Sequence, residues 1–146
     1  MGHVGWNAPD FSTPPTFKKY SDTAPEYRRL APGTNIEGEC MGKDCPAFGK
    51  LVWCNLGENQ NGEDILMMPG RCPLCKGGVK NGGRTLGFSK CSYEIEAFYD
   101  NGSGIAVKLV GDGLSGKASE SDGFKTWLPE GKLLNYRKLT VTTTLL

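Results

Sequence analysis

Cysteine dominates the chemistry this sequence offers. Six are present, Cys40, Cys45, Cys54, Cys72, Cys75 and Cys91, against a single histidine, His3. Four of them form short-spaced pairs, Cys40-x4-Cys45 and Cys72-x2-Cys75, with 26 residues between the pairs. A tetrahedral zinc ion bound by four thiolates needs two local turns, each presenting two sulfurs, and pairs spaced by two to four residues form such turns. The second pair reads Cys72-Pro73-Leu74-Cys75 and is followed by Gly77-Gly78. Small residues there let backbone amides approach sulfur and stabilise its negative charge. We expect one structural Zn2+ held by Cys40, Cys45, Cys72 and Cys75.

Other cysteine chemistries compete with this reading. An even number of cysteines is also what a disulfide framework requires. Against disulfides stand the local pairing and a length, 146 residues, at which a core forms without covalent staples. A redox Cys-x-x-Cys is a third reading, but no following helix or βαβ pattern surrounds Cys72 and Cys75. A two-zinc RING needs eight ligands, and six cysteines plus one histidine make seven. Cys54 and Cys91 are left as small buried hydrophobes, with either one an alternative ligand in place of a member of the looser first pair.

The remaining composition excludes more than it suggests. With His3 as the lone histidine, serine triads, Cys/His proteases and His-rich catalytic zinc sites have no base or ligand. The formal net charge of +1 argues against a partner held by bulk electrostatics. No run approaches the ~18 continuous apolar residues of a spanning helix. The first residues show neither a basic n-region nor an apolar h-region, so a cytoplasmic or nuclear location is expected. Gly111–Lys117 nearly matches a phosphate-binding loop, yet Ala118 stands where Ser or Thr should hold magnesium, and no helix follows. Asn101-Gly102-Ser103 fits a glycosylation acceptor by pattern and a hairpin turn better. Three basic pairs, Lys18-Lys19, Arg28-Arg29 and Arg137-Lys138, read as solvated faces. Convergence of these pairs with Trp53 or Trp127 would instead make a nucleic-acid surface.

The elements that must position the cysteines are strands. Glycine and proline, 21 and 9 of 146 residues, make up about a fifth of the chain, where average usage is about 12%; few or no long helices are expected. Residues 1–27 are expected to form a proline-rich arm, either packed on the domain through Trp6, Phe11, Phe17 and Tyr20 or trailing as a tail. Residues 28–146 are expected to form one zinc-binding β-rich domain. Within it, Lys50–Cys54 is a short strand, residues 57–64 and 77–84 are loops, and 111–123 is a Gly/Ser-rich connection before Phe124–Leu128. The clearest hairpin lies at 92–110. Tyr93, Ile95, Ala97 and Tyr99 alternate onto one face, Asp100–Gly104 forms the turn, and Ile105, Val107 and Leu109 line the return strand. Glu94 and Glu96 point the other way, toward Lys108, as a charged face. The chain closes on a strand, Tyr136–Leu145, with Leu139, Val141, Thr143 and Leu145 sharing a face. The fold class is mainly β: zinc-ribbon or RING-like knuckles followed by an antiparallel hairpin sheet.

The order Leu30-Ala31-Pro32-Gly33-Thr34-Asn35-Ile36-Glu37-Gly38-Glu39-Cys40, Cys45–Gly49, Cys72–Cys75 and Gly87-Phe88-Ser89-Lys90-Cys91 resembles a cysteine-rich zinc-binding domain of protist and fungal proteins, often found beside ubiquitin-like domains. The likeness runs over about residues 28–146. It implies a zinc module and a ubiquitin-linked or scaffold context. That family tends to carry a cysteine just before the Gly-Phe step; Leu86 stands there, which leaves Cys91 alone. Closed four-thiolate coordination leaves no position for substrate, and no nucleophile, base and oxyanion set is visible. The expected function is therefore a non-catalytic protein-interaction or adaptor module with a protein partner. A ubiquitin-ligase-like module and a nucleic-acid-binding zinc ribbon are the alternatives.

Overall fold

The computed structural model describes residues 6–68, 70–80, 84–129 and 131–146; His3 lies outside them. Eleven strands form two antiparallel sheets, and no helix reaches seven residues among the described residues. The strands are β1 (Trp6–Pro9), β2 (Thr16–Lys19), β3 (Gly33–Glu39), β4 (Leu51–Gly57), β5 (Glu63–Asp64), β6 (Thr85–Ser89), β7 (Cys91–Asp100), β8 (Ala106–Lys108), β9 (Ser115–Ala118), β10 (Gly123–Thr126) and β11 (Leu133–Leu145). The first sheet runs β1-β11-β7-β8, with β5 added to β11 and β9 to β7. The second runs β2-β10-β6-β3-β4.

Period-two patterning builds the first sheet. Cys91, Tyr93, Ile95 and Ala97 of β7 are buried while Glu94 and Glu96 face water, and Glu96 meets Lys108 across the hairpin at 3.8 Å. At the turn Gly102 and Gly104 adopt φ of 97° and 85°, and the Asp100 carboxylate accepts from both of their amides, at 2.8 and 3.1 Å. In β11 a bulge between Tyr136 and Lys138 lets Tyr136 and Leu139 both face the core, with Val141 and Thr143 following in step. Three apolar positions expected on these faces lie outside the core: Ile105, just before β8, and Leu145, at the end of β11, are 61% and 43% exposed, and Val107 in the short β8 is only half-buried.

The second sheet switches into the first at one corner. Lys90, with a left-handed φ of 49°, is the single residue between β6 and β7. Phe88 and Tyr93 on either side of it stack at 4.3 Å. Ile36, Leu86 and Phe88 from one sheet and Ile95, Leu139 and Val141 from the other share one core. Across that core the Thr34 and Thr143 hydroxyls hydrogen-bond at 3.2 Å. The outer face of the second sheet is covered by the segment before β3. There Arg28 pairs with the buried Glu37 at 2.9 Å. Beside it, Gly87 leaves room for Leu30 and Trp53, which a Cβ would meet at 2.7 and 2.9 Å.

The N-terminal segment is woven into both sheets. β1 pairs with β11 and β2 with β10. Phe11 is fully buried, 5.1 Å from Trp127 and 5.2 Å from Tyr136 between ring centroids. The Tyr136 hydroxyl accepts the Phe11 N–H at 3.0 Å and donates to the Pro9 carbonyl at 2.7 Å. The glycines of the 111–123 stretch serve this segment. A Cβ at Gly113 would sit 1.9 Å from the Thr13 carbonyl oxygen, and one at Gly111 would sit 2.6 Å from Ser12. The same stretch, expected as a connection, contains β9. Its Gly116 lies so close over the Tyr93 ring that a Cβ would be 2.8 Å from the phenol oxygen, and this strand is held by packing rather than by hydrophobic alternation.

Candidate metal centre

The first cysteine pair sits in the turn that joins β3 to β4. The Cys40 N–H donates to the Lys50 carbonyl at 3.0 Å and the Gly49 N–H to the Cys40 carbonyl at 2.9 Å, closing the loop at its base. Inside it Cys45 N–H reaches the Gly42 carbonyl at 3.0 Å. The second pair occupies the loop before β6. There the Cys72 N–H donates to Gly77 and the Lys76 N–H to Cys72, both at 2.9 Å. Lys76 takes a left-handed φ of 62°, and its ammonium bonds the Pro73 carbonyl at 2.9 Å. A bridge between Cys40 and Val79 stitches the two loops together.

This folding brings together Cys40, Cys45, Cys72 and Cys75, the four residues expected from spacing. Their sulfurs all lie within 4.8 Å of one another. Cys40 and Cys75 are 3.8 Å apart, as are Cys45 and Cys72. Bonded disulfide sulfurs would lie about 2.05 Å apart, and all six cysteines are free. A tetrahedron with metal–sulfur bonds of about 2.3 Å has sulfur–sulfur edges of about 3.8 Å. The donor set and spacing therefore fit a four-coordinate metal ion.

Backbone amides surround the sulfurs in a repeating pattern. The N–H two residues after the cysteine points at sulfur for Cys40 (from Gly42), Cys45 (from Ala47) and Cys75 (from Gly77), each at 3.4 Å. The Leu74 amide does the same for Cys72. Gly77 was visible in the sequence as a small residue beside its cysteine. Gly42 was not singled out, although it holds the equivalent place. A Cβ there would lie 2.9 Å from the Cys75 sulfur. Burial pushes the Cys40 thiol up to about 12. Burial also opposes ionisation of Cys72, but the Cys75 and Leu74 amides and the neighbouring thiols outweigh it and hold that thiol below its ordinary range. Charged thiolates would be stabilised by a bound cation, whose binding must then displace protons.

Cys54 and Cys91 stand outside the cluster. Cys54 lies on the buried face of β4 and Cys91 at the start of β7, 1% and 0% exposed. Burial pushes both thiols up to about 11, and the Cys91 thiol donates to the Gly33 carbonyl at 3.7 Å. No family, curated protein or solved structure matches this chain. No helix among the described residues is long and apolar enough to cross a membrane.

Proposed function

We propose that the chain is a protein-interaction module whose two loops are clamped by one structural zinc ion on Cys40, Cys45, Cys72 and Cys75, and that it performs no catalysis of its own. The observation that carries this reading is the cluster of four cysteine sulfurs, with two edges of 3.8 Å, enough donors to fill a tetrahedral ion's coordination shell. Such a closed set offers a substrate no open position. Its energetic role is to hold together loops that bury few side chains besides the cysteines themselves.

The clamped loops present apolar side chains to solvent. Met41 and Phe48, both on the first loop, are each 48% exposed. A hollow of about 410 Å3 lies between the loops, lined by Pro46 and Leu74 among others. Exposed apolar surface on a rigid, metal-fixed loop is suited to a protein partner. The ubiquitin-linked context implied by the family resemblance is one setting in which to seek it.

Native mass spectrometry of protein made with zinc in reducing buffer tests the metal. One zinc per chain is expected, with a denatured mass showing all thiols reduced. No bound metal, or a denatured mass lighter by about two protons per cysteine pair, would overturn the reading. A photo-crosslinker at position 48 is expected to trap a partner that the same group at position 94, on the solvent-facing charged side of β7, does not. Equal trapping from both positions would remove the assigned surface.

A further inference from the structure

Two of the three basic pairs converge. Lys18, Lys19, Arg28, Arg29 and Lys90 line a single cleft of about 560 Å3, with Asp22 the one acid on its wall. The chain as a whole has a net charge of only +1, so this concentration is local. Among the described residues, Lys18, Lys19, Arg29 and Lys90 make no ion pair. Arg29 directs its Nε to the Ala24 carbonyl at 3.3 Å. Arg28 is held rigidly by Glu37 and lies 5.5 Å over the Trp53 ring. Clustered like charges repel one another, and an anion in the cleft relieves that repulsion.

The frame around the cleft is built rather than loose. The Tyr20 hydroxyl and Ser89 share a hydrogen bond, and the Tyr20 ring stacks on Phe124 at 5.8 Å. Phe124 in turn meets Trp53 at 5.6 Å. Tyr20 stacks on Phe124 and Trp53 meets it edge-on, and Trp53 and Phe124 are both buried, so neither offers an open face on which successive nucleobases would stack. The cleft also adjoins a sheet edge. It lies where β2 ends, and β2 pairs with β10 alone among the described residues. All four β2 residues are exposed. Its second edge offers unpaired backbone groups to an incoming extended segment.

We propose that this cleft receives a phosphorylated side chain of a partner protein, carried on an extended segment that adds to the open edge of β2. The proposal rests on the reading of the chain as an interaction module and names the chemistry of one partner. Lys18, Lys19, Arg29 and Lys90 supply the charge for the dianionic phosphate, and Arg28 supplies a fixed guanidinium. Strand addition supplies affinity that does not depend on the neighbouring side chains.

The test is a titration of zinc-loaded, 15N-labelled full chain, followed by amide chemical shifts. The probes are degenerate nonapeptide pools with a central phosphoserine, phosphothreonine or phosphotyrosine, the same pools unphosphorylated, inorganic phosphate, and a uridine decamer. The phosphorylated pools are expected to shift amides of Thr16–Asp22, Arg29 and Lys90 at concentrations at least tenfold below those the unphosphorylated pools require. The double variant Lys18→Glu/Lys90→Glu is expected to lose this response at least tenfold while keeping the remaining spectrum. Lys18→Gln/Arg29→Gln is the milder second variant should the first disturb the fold. No shift at the cleft with any phosphorylated pool overturns the proposal. Equal saturation by inorganic phosphate overturns it in favour of a small-anion site, and tighter binding of the uridine decamer overturns it in favour of nucleic acid. Zinc content and crosslinking from position 48 are read on the same samples, so the interaction reading can survive a failure here.

Discussion

An amide two residues beyond each clustered cysteine is the repeating unit of the candidate metal centre, and its tolerance to change is set by the space around sulfur. Gly42 has none to spare, since a Cβ would lie 2.9 Å from the Cys75 sulfur. Gly42→Ala is expected to leave all four thiols in place and weaken zinc binding about 10–100-fold, the usual loss when a group that orients a ligand is disturbed. Competition with a chelating dye measures it, and unchanged affinity would show that the loop absorbs the methyl group. The two kinds of buried cysteine separate at the same scale. Cys72→Ser is expected to abolish stoichiometric metal. Cys54→Ser, which places a hydroxyl at a site 1% exposed, is expected to keep the metal and cost about 1–3 kcal/mol. Metal content with thermal melts of both variants decides; equal behaviour would refute the assignment of ligands.

At the scale of elements, the joint between the N-terminal segment and β11 is the Tyr136 hydroxyl, which holds Phe11 and Pro9 at once. Tyr136→Phe strands a buried N–H and a buried carbonyl and is expected to cost about 1–3 kcal/mol in urea denaturation. Burial raises the pKa of this phenol in the fold. Because the folded value is the higher one, the contribution is fully present below the unfolded pKa of about 10 and is lost as pH rises beyond it. The variant should therefore show a shallower loss of stability above about pH 10, and parallel alkaline limbs in the two proteins would count against the assignment. Phe11, fully buried between Trp127 and Tyr136, is expected to cost about 3–5 kcal/mol when changed to Ala. A loss under about 1 kcal/mol would mean that the segment following β1 is not anchored in the core through Phe11.

For the whole molecule, the question is how far metal and core depend on each other. In a small domain a structural metal can supply much of the folding energy, because its binding energy is then folding energy. The structure places a shared core between two sheets, with β7 and β11 paired along ten positions and Tyr136, Leu139 and Val141 fully buried. Removal of metal by a chelator is therefore expected to open the cysteine loops and leave the sheets standing. In hydrogen exchange, the Gly42, Ala47 and Gly77 amides should lose protection by at least tenfold while those of Ile95 and Val141 keep theirs. Simultaneous loss across both groups would show that the metal holds the entire fold.

How much of this was legible in the sequence follows from the range of the forces involved. The cysteine cluster, the Asp100–Gly104 turn and the β7 alternation were readable because each depends on residues a few positions apart, through sulfur spacing, permitted φ and period-two burial. The sequence by itself thus determined a mainly β chain and its four clustered thiols. Only the tertiary structure decided that Trp6–Lys19 would supply a strand to each sheet, that Ser115–Ala118 would pair with β7, and that Gly111 and Gly113 would make room for Ser12 and Thr13. It alone decided, too, that Lys18-Lys19 and Arg28-Arg29 would meet Lys90 in one cleft. Those outcomes rest on contacts between segments far apart in the chain, where packing and backbone pairing outweigh local preference and leave no periodic trace.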